Sequence, residues 1–168
     1  MSAKAETMAK ADYVIEPGKQ EIVITRVFDA PRELVFKAYT DPKLLPQWFG
    51  PRDYTTIVDK MEARPGGLWR FVQRNQDGEE FAFHGVHHDI VPPERIVATF
   101  EYEGVPGHVL LQTLTLEPQG QKTRLVEQLL FQSVADRDGM VASGMQRGSD
   151  DSMDRMAEIL ENLKAKRA

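Results

Sequence analysis

From Tyr54 to Phe131 the chain falls into short runs of strand-period residues, each closed by a turn signal, and from Ser133 to Lys164 it changes to one helical stripe. This succession constrains the fold more than any other feature. Consecutive strands joined by tight turns pair antiparallel, and a helix kept outside the strand run gives an α+β layout. The candidate strands are Thr56 to Met61, Leu68 to Arg74, Glu80 to Val91, Arg95 to Glu103, Val109 to Glu117 and Thr123 to Phe131. Between them lie Pro65-Gly66-Gly67, Asn75 to Gly78, Pro92-Pro93-Glu94, Gly104 to Gly107 and Gln119 to Lys122, all of turn composition. Alternation puts Trp69, Phe71 and Gln73 on one face, and Leu110, Leu114 and Leu116 likewise. Ser133 with Asp136 three residues on resembles a capping box, and predicts a helix running to about Lys164. Met145, Ser149, Ser152, Met156, Ile159 and Leu163 recur at three and four, with Met153 and Leu160 widening the stripe. A sheet of this size must bury such a stripe against its concave face.

Upstream, Glu21 to Phe28 reads as a first strand, stopped by Asp29-Ala30-Pro31. Asp29 or Ala30 is placed to cap a helix carrying Leu34, Val35, Ala38 and Tyr39. Asp41-Pro42 repeats the start signal for a second short helix with Leu44, Leu45 and Trp48, ended by Phe49-Gly50-Pro51. Residues 1–19 read as a flexible N-terminal arm and residues 20–165 as one domain, a size that suits 168 residues with 41% hydrophobic and 28% charged side chains.

The net charge of -5 speaks against a nucleic-acid partner or anionic lipid, and the basic end at Lys164 to Arg167 is a solvated helix terminus. Without cysteine there is no disulfide scaffold, thiolate metal site or thiol catalysis. No apolar run approaches the ~18 residues needed to span a bilayer, so no membrane insertion is expected. The N-terminus lacks the apolar core of a signal peptide, and a cytoplasmic location follows by default.

Four histidines invite a metal reading. On one strand, however, His84 and His88 stand roughly 13 Å apart at about 3.3 Å per residue, and His87 points to the other face. No metal and no cofactor are expected. Asp89, Glu101 and Glu127 are strand carboxylates; facing a pocket, one of them, or His87, would serve as a base. The alternative is cross-strand pairing with Arg95, Arg70 or Arg124 on a solvated face. No nucleophile elbow or phosphate loop is present. Gly104 to Gly107 is placed to edge a pocket mouth.

In combination, the segments FDAPRELVFKAYTDPKLLPQWFGP (28–51), GGLWRF (66–71), DGEEFAFHGV (77–86), DIVPPERIVATF (89–100), GQKTRLV (120–126) and SGMQRGSDDSMDRMAEIL (143–160) resemble the activator-of-Hsp90-ATPase-like group of the START/Bet v 1-like (SRPBCC) superfamily. The resemblance implies a helix-grip fold: a curved antiparallel sheet of about six to seven strands wrapped around a long C-terminal helix, with two short helices after the first strand. It implies an internal pocket for a small apolar or amphipathic molecule, lined by Trp48, Phe49, Trp69, Phe71, Phe83, His87, Phe100, Leu114, Met145, Ser149 and Met153. Two other activities occur in such families. One is a co-chaperone-like contact with an Hsp90-type chaperone; the other is a cyclase or hydrolase reaction, for which His87, Asp89 and Glu101 are the candidate catalytic residues. The family commonly has Gly-Trp where this chain has Gly148-Ser149, and the missing indole predicts a roomier pocket. Either a monomer or a homodimer is compatible, the latter through an exposed edge strand near Thr56.

Overall fold

Eight strands form one antiparallel sheet in the order β1-β2-β8-β7-β6-β5-β4-β3 in the computed structural model, which describes residues 10–167. The strands are β1 (Asp12–Val14), β2 (Glu21–Phe28), β3 (Thr55–Met61), β4 (Leu68–Arg74), β5 (Glu80–Val91), β6 (Arg95–Tyr102), β7 (Val109–Gln119) and β8 (Lys122–Leu130). From β3 to β8 each strand pairs with its successor, as tight turns require. The long return from the first part of the chain lays β2 beside β8, with Ile24 opposite Glu127. The helices are α1 (Arg32–Thr40), α2 (Val134–Ala142) and α3 (Met145–Arg167), and a 3₁₀ turn at Leu45–Gln47 follows α1. This is the helix-grip architecture.

Five details differ from the expectation. The eighth strand, β1, lies inside the segment read as an arm; the first nine residues of that segment fall outside the described ones. A three-residue strand carries no period to read. It is held by the open edge of β2, where Tyr13 faces Ile24, and by the Tyr13 hydroxyl donating to Asp150 Oδ1 at 2.7 Å. The C-terminal helix is broken into α2 and α3 at Ser143-Gly144. Gly144 has φ +83°, the left-handed conformation that ends a helix cheaply only at glycine. Ser133 caps α2 by accepting from the Asp136 amide at 3.0 Å, but Asp136 pairs outward with His108 Nδ1 at 2.9 Å instead of closing the box. At α1 the cap position is Pro31, with no side-chain cap. The second short helix shrinks to the 3₁₀ turn.

Inward-facing residues alternate along every long strand, and they divide the interior in two. At one end Phe28 of β2, Leu116 of β7 and Leu125 of β8 are fully buried with Val35 of α1 and Met156 and Leu160 of α3. This half is solid. At the other end Trp69 and Phe71 of β4, Phe83 of β5 and Phe100 of β6 point inward, and the first turns of α3 stand opposite them. That half is hollow. The sheet edges are β1 and β3, so the strand near Thr56 is indeed an edge. No described helix is long and apolar enough to cross a membrane.

Candidate functional site

The hollow half is a cavity of about 740 Å³, whose lining includes Tyr39, Trp48, Phe49, Trp69, Phe71, Phe83, His87, Phe100, Gln112, Glu127, Met145, Ser149 and Met153. Its aromatic wall is continuous. Ring centroids are 4.7 Å apart for Tyr39–Trp48, 5.9 Å for Trp48–Phe49 and 5.2 Å for Phe49–Phe71. They are 4.7 Å apart for Trp69–Phe71, 5.7 Å for Trp69–Phe100 and 5.3 Å for Phe83–Phe100. Edge-on and tilted pairs of this kind hold one another at fixed angles. Trp69 stands across from Gly85, where a Cβ would lie 1.9 Å from the Thr99 carbonyl oxygen and 2.7 Å from the indole nitrogen. Only glycine leaves room there for both the Thr99 carbonyl and the indole.

Trp48 and Phe49 are not on a regular element, and their position is set by hydrogen bonds. The Trp48 indole donates to the Ala38 carbonyl at 2.9 Å. The Gly50 amide donates to Ser152 Oγ at 2.8 Å, and Thr56 Oγ1 donates to the Phe49 carbonyl at 2.7 Å. Arg155 Nη1 reaches the carbonyls of Phe49, Gly50 and Pro51 at 3.0 to 3.4 Å. One guanidinium from α3 therefore clamps the whole turn. The opening lies where lining residues are exposed: Asp53 on one lip, Ser143, Gly144 and Arg147 on the other. The break between α2 and α3 thus forms part of the rim. Gly104 to Gly107, expected at the mouth, are not among the lining residues.

Ten of the eleven expected pocket residues line the cavity, including Ser149 on α3. Leu114 does not; it is buried in the solid half beside Leu116. Of the three catalytic candidates, His87 alone reaches the cavity. It is 8% exposed, and its Nδ1 donates to the Glu62 carbonyl at 2.9 Å. That bond fixes the proton on Nδ1 and leaves Nε2 as an acceptor. Burial pushes the His87 pKa below its ordinary value. Asp89 and Glu101 face the outer surface. Asp89 pairs with Arg95, and Glu101 accepts from the Gly107 amide at 2.6 Å and meets His84 Nε2 at 3.1 Å. The physical reason for Asp89 is a bulge. His87 pairs with Ala98 and Asp89 with Val97, so His88 is the extra residue that turns Asp89 outward. Glu103, beside Glu101, is drawn down to about 2 by Arg70 and His84, an outer-face network remote from the cavity.

The third strand carboxylate, Glu127, points inward. It occupies the inward position between Leu125 and Leu129 on β8, and Oε1 accepts from Gln112 Nε2 at 2.6 Å across to β7. Desolvation raises its pKa, and the Gln112 bond offsets part of that rise. Tyr39, further along the wall, is pushed well above the usual phenol range by burial and by Glu127. Gln112 and Tyr39 were not among the expected site residues. Gln112 was legible in principle, since it shares its face with Leu110 and Leu114. Among the described residues no three His, Asp or Glu side chains converge as a metal site would require.

A sheet gripping a terminal helix over an aromatic internal cavity defines a protein of the START/Bet v 1-like class. The model of the family described as activator of Hsp90 ATPase homolog 1-like protein matches residues 29–161, and the chain belongs to that family. Among solved structures, a protein from Rhodobacter sphaeroides is 26% identical with a TM-score of 0.83, covering 91% of this chain and 99% of that one. A protein from Arthrobacter aurescens, solved in solution, is 22% identical with a TM-score of 0.83 over 90% of this chain and 91% of that one. A protein named AHSA1 from Silicibacter pomeroyi is 21% identical with a TM-score of 0.70, covering 84% of this chain and 97% of that one. The last two speak for the fold alone. No curated relative matches the chain.

Proposed function

We propose that this protein binds a small apolar or amphipathic molecule in the cavity between the sheet and α3, within one domain spanning about residues 20–165. The carrying observation is the aromatic hollow of about 740 Å³, inside the range of ligand pockets and lined by apolar side chains with few polar groups. The walls are pinned by Arg155, Ser152 and Ala38, so the cavity exists before the guest arrives and little ordering cost attends binding. The test is a thermal-shift and native-mass screen of lipids and aromatic metabolites on protein stripped by denaturation and refolding. A ligand at a hundred times its Kd stabilises by about 2.7 kcal/mol. No response across a broad panel removes the reading.

The enzyme reading has less support. Asp89 and Glu101 are committed to outer-face partners, and among the described residues His87 has no carboxylate within hydrogen-bond reach. The co-chaperone reading rests on family membership. Its measurement is the ATPase rate of a cognate Hsp90-type chaperone with saturating protein.

A further inference from the structure

The inward face of β8 reads Thr123, Leu125, Glu127 and Leu129. The carboxylate is flanked in register by Ile24 on β2 and Leu114 on β7. A charge set among aliphatic side chains is costly unless it is paired. Glu127 is not paired by the fold. Gln112 donates to Oε1 at 2.6 Å, while Oε2 has no hydrogen-bond partner among the described residues and no Lys or Arg among them forms an ion pair with it. The cation nearest in pattern is Arg26, also inward-facing and buried on β2, but it is committed to Asp154 on α3 at 2.7 Å. Arg147, the cation of the cavity lining, stands at the exposed rim. Glu127 belongs to the cavity lining, whose wall of aromatic rings runs from Tyr39 to Phe100.

We propose that the cavity selects amphipathic molecules with a protonated amine head, and that Glu127 is the residue that receives that head. The proposal rests on the ligand-binding reading above and deepens it. A hydroxyl donating to Oε2 satisfies one lone pair but leaves the charge uncompensated. A carboxylate guest meets like charge. An ammonium group supplies donor and countercharge together, and the aromatic wall that accepts its hydrocarbon body also offers faces to a cation. Burial raises the carboxyl pKa, as expected where no countercharge of the fold offsets desolvation.

Three probes of one skeleton separate these cases: 2-phenylethylamine, 2-phenylethanol and ethylbenzene, titrated calorimetrically into the full chain and into Glu127→Gln near neutral pH. The amine is expected to bind the unmodified protein at least about tenfold more tightly than ethylbenzene, the factor that ~1.4 kcal/mol produces. Glu127→Gln should bring the affinity ratio of amine to ethylbenzene to about one. Equal binding of amine and ethylbenzene, an alcohol that matches the amine, or a preference that survives Glu127→Gln overturns the proposal while leaving the cavity reading in place. Failure of all three probes to bind removes both. The ratio in the unmodified protein decides the question even where the variant does not fold.

Discussion

Replacing Ser149 by tryptophan tests the hollow directly, because the sign of the effect depends on whether space is there. Ser149 lies on α3 with its side chain on the cavity lining. An indole buries about 200 Å² of mostly apolar surface, which at about 25 cal/mol per Å² contributes roughly 5 kcal/mol. A compact unfolded state already buries part of that surface and removes up to about 40% of the gain. Ordering the side chain costs about 1 kcal/mol more. The net is a stabilisation of about 2–4 kcal/mol, or a rise in Tm of roughly 4–16 °C for a domain of this size. Were the interior packed solid, the same substitution would overfill it and cost about 1–3 kcal/mol. Differential scanning calorimetry separates the two signs. Ser149→Trp should also weaken any ligand found in the cavity, since it occupies the same volume. A fall in Tm with cooperative unfolding refutes the argument, and so does a rise in Tm that leaves ligand affinity untouched.

Other substitutions read the walls and the buried charges. Gly85→Ala places a methyl 1.9 Å from the Thr99 carbonyl oxygen, a backbone atom that cannot yield, and should cost about 3 kcal/mol or more in urea unfolding. Arg155→Ala removes the donor shared by the carbonyls of Phe49, Gly50 and Pro51; about 2–3 kcal/mol should be lost, with a change in Trp48 fluorescence. Glu127 and His87, two titratable groups of the cavity lining, act on stability in opposite directions. Glu127 has its folded pKa raised, so its contribution is fully present below the unfolded value of about 4.3 and is lost as pH rises through the folded pKa. His87 has its folded pKa lowered, so its contribution is present above about 6.5 and is lost as pH falls through the folded pKa. Urea midpoints of Glu127→Gln should therefore exceed those of the unmodified protein at neutral pH and converge with them in acid. His87→Asn should flatten the acid limb of the stability profile between pH 6.5 and the lowered pKa.

Much of this architecture is legible in the order of residues, because a period of two assigns each side chain to a face. Trp69, Phe71 and Gln73 are inward as their alternation predicts, and Glu101 is outward because Phe100 is inward. What the period does not carry is the count of residues between register shifts. Asp89 lies two after His87 and ought to share its face; the bulge at His88 breaks the rule and sends it to Arg95. Nor does the period distinguish solid from hollow. Leu114 and Gln112 share the inner face of β7, yet one packs in the core and the other borders the cavity, a difference fixed by what α1 and α3 place above them. Gly144 illustrates a third limit. Within an apolar stripe that continues on both sides, one glycine reads as tolerated, and only its positive φ shows that it ends a helix.

The hollow persists because its walls are fastened from the outside rather than filled from within. Deleting bulk in a core costs least where neighbours can collapse into the space. Here they are held. Trp48 hangs from Ala38, the turn after it is tied by Arg155 and Ser152, and Trp69 lies against Gly85 on a paired strand. The solid half, with Phe28, Leu125, Met156 and Leu160 fully buried, anchors both sheet and α3 so that the other half need not pack. Stability and vacancy are thereby assigned to opposite ends of one helix. Substitutions in the C-terminal half of α3, such as Leu160→Ala, should lower Tm by the cost of a core cavity, about 2–5 kcal/mol, with ligand affinity unchanged under folding conditions. Substitutions at Met145 or Ser149 should move affinity by more than they move Tm. Calorimetric titration and thermal unfolding on the same three variants test this separation, and a Leu160→Ala protein that folds yet binds many times more weakly would show that the two halves are not independent.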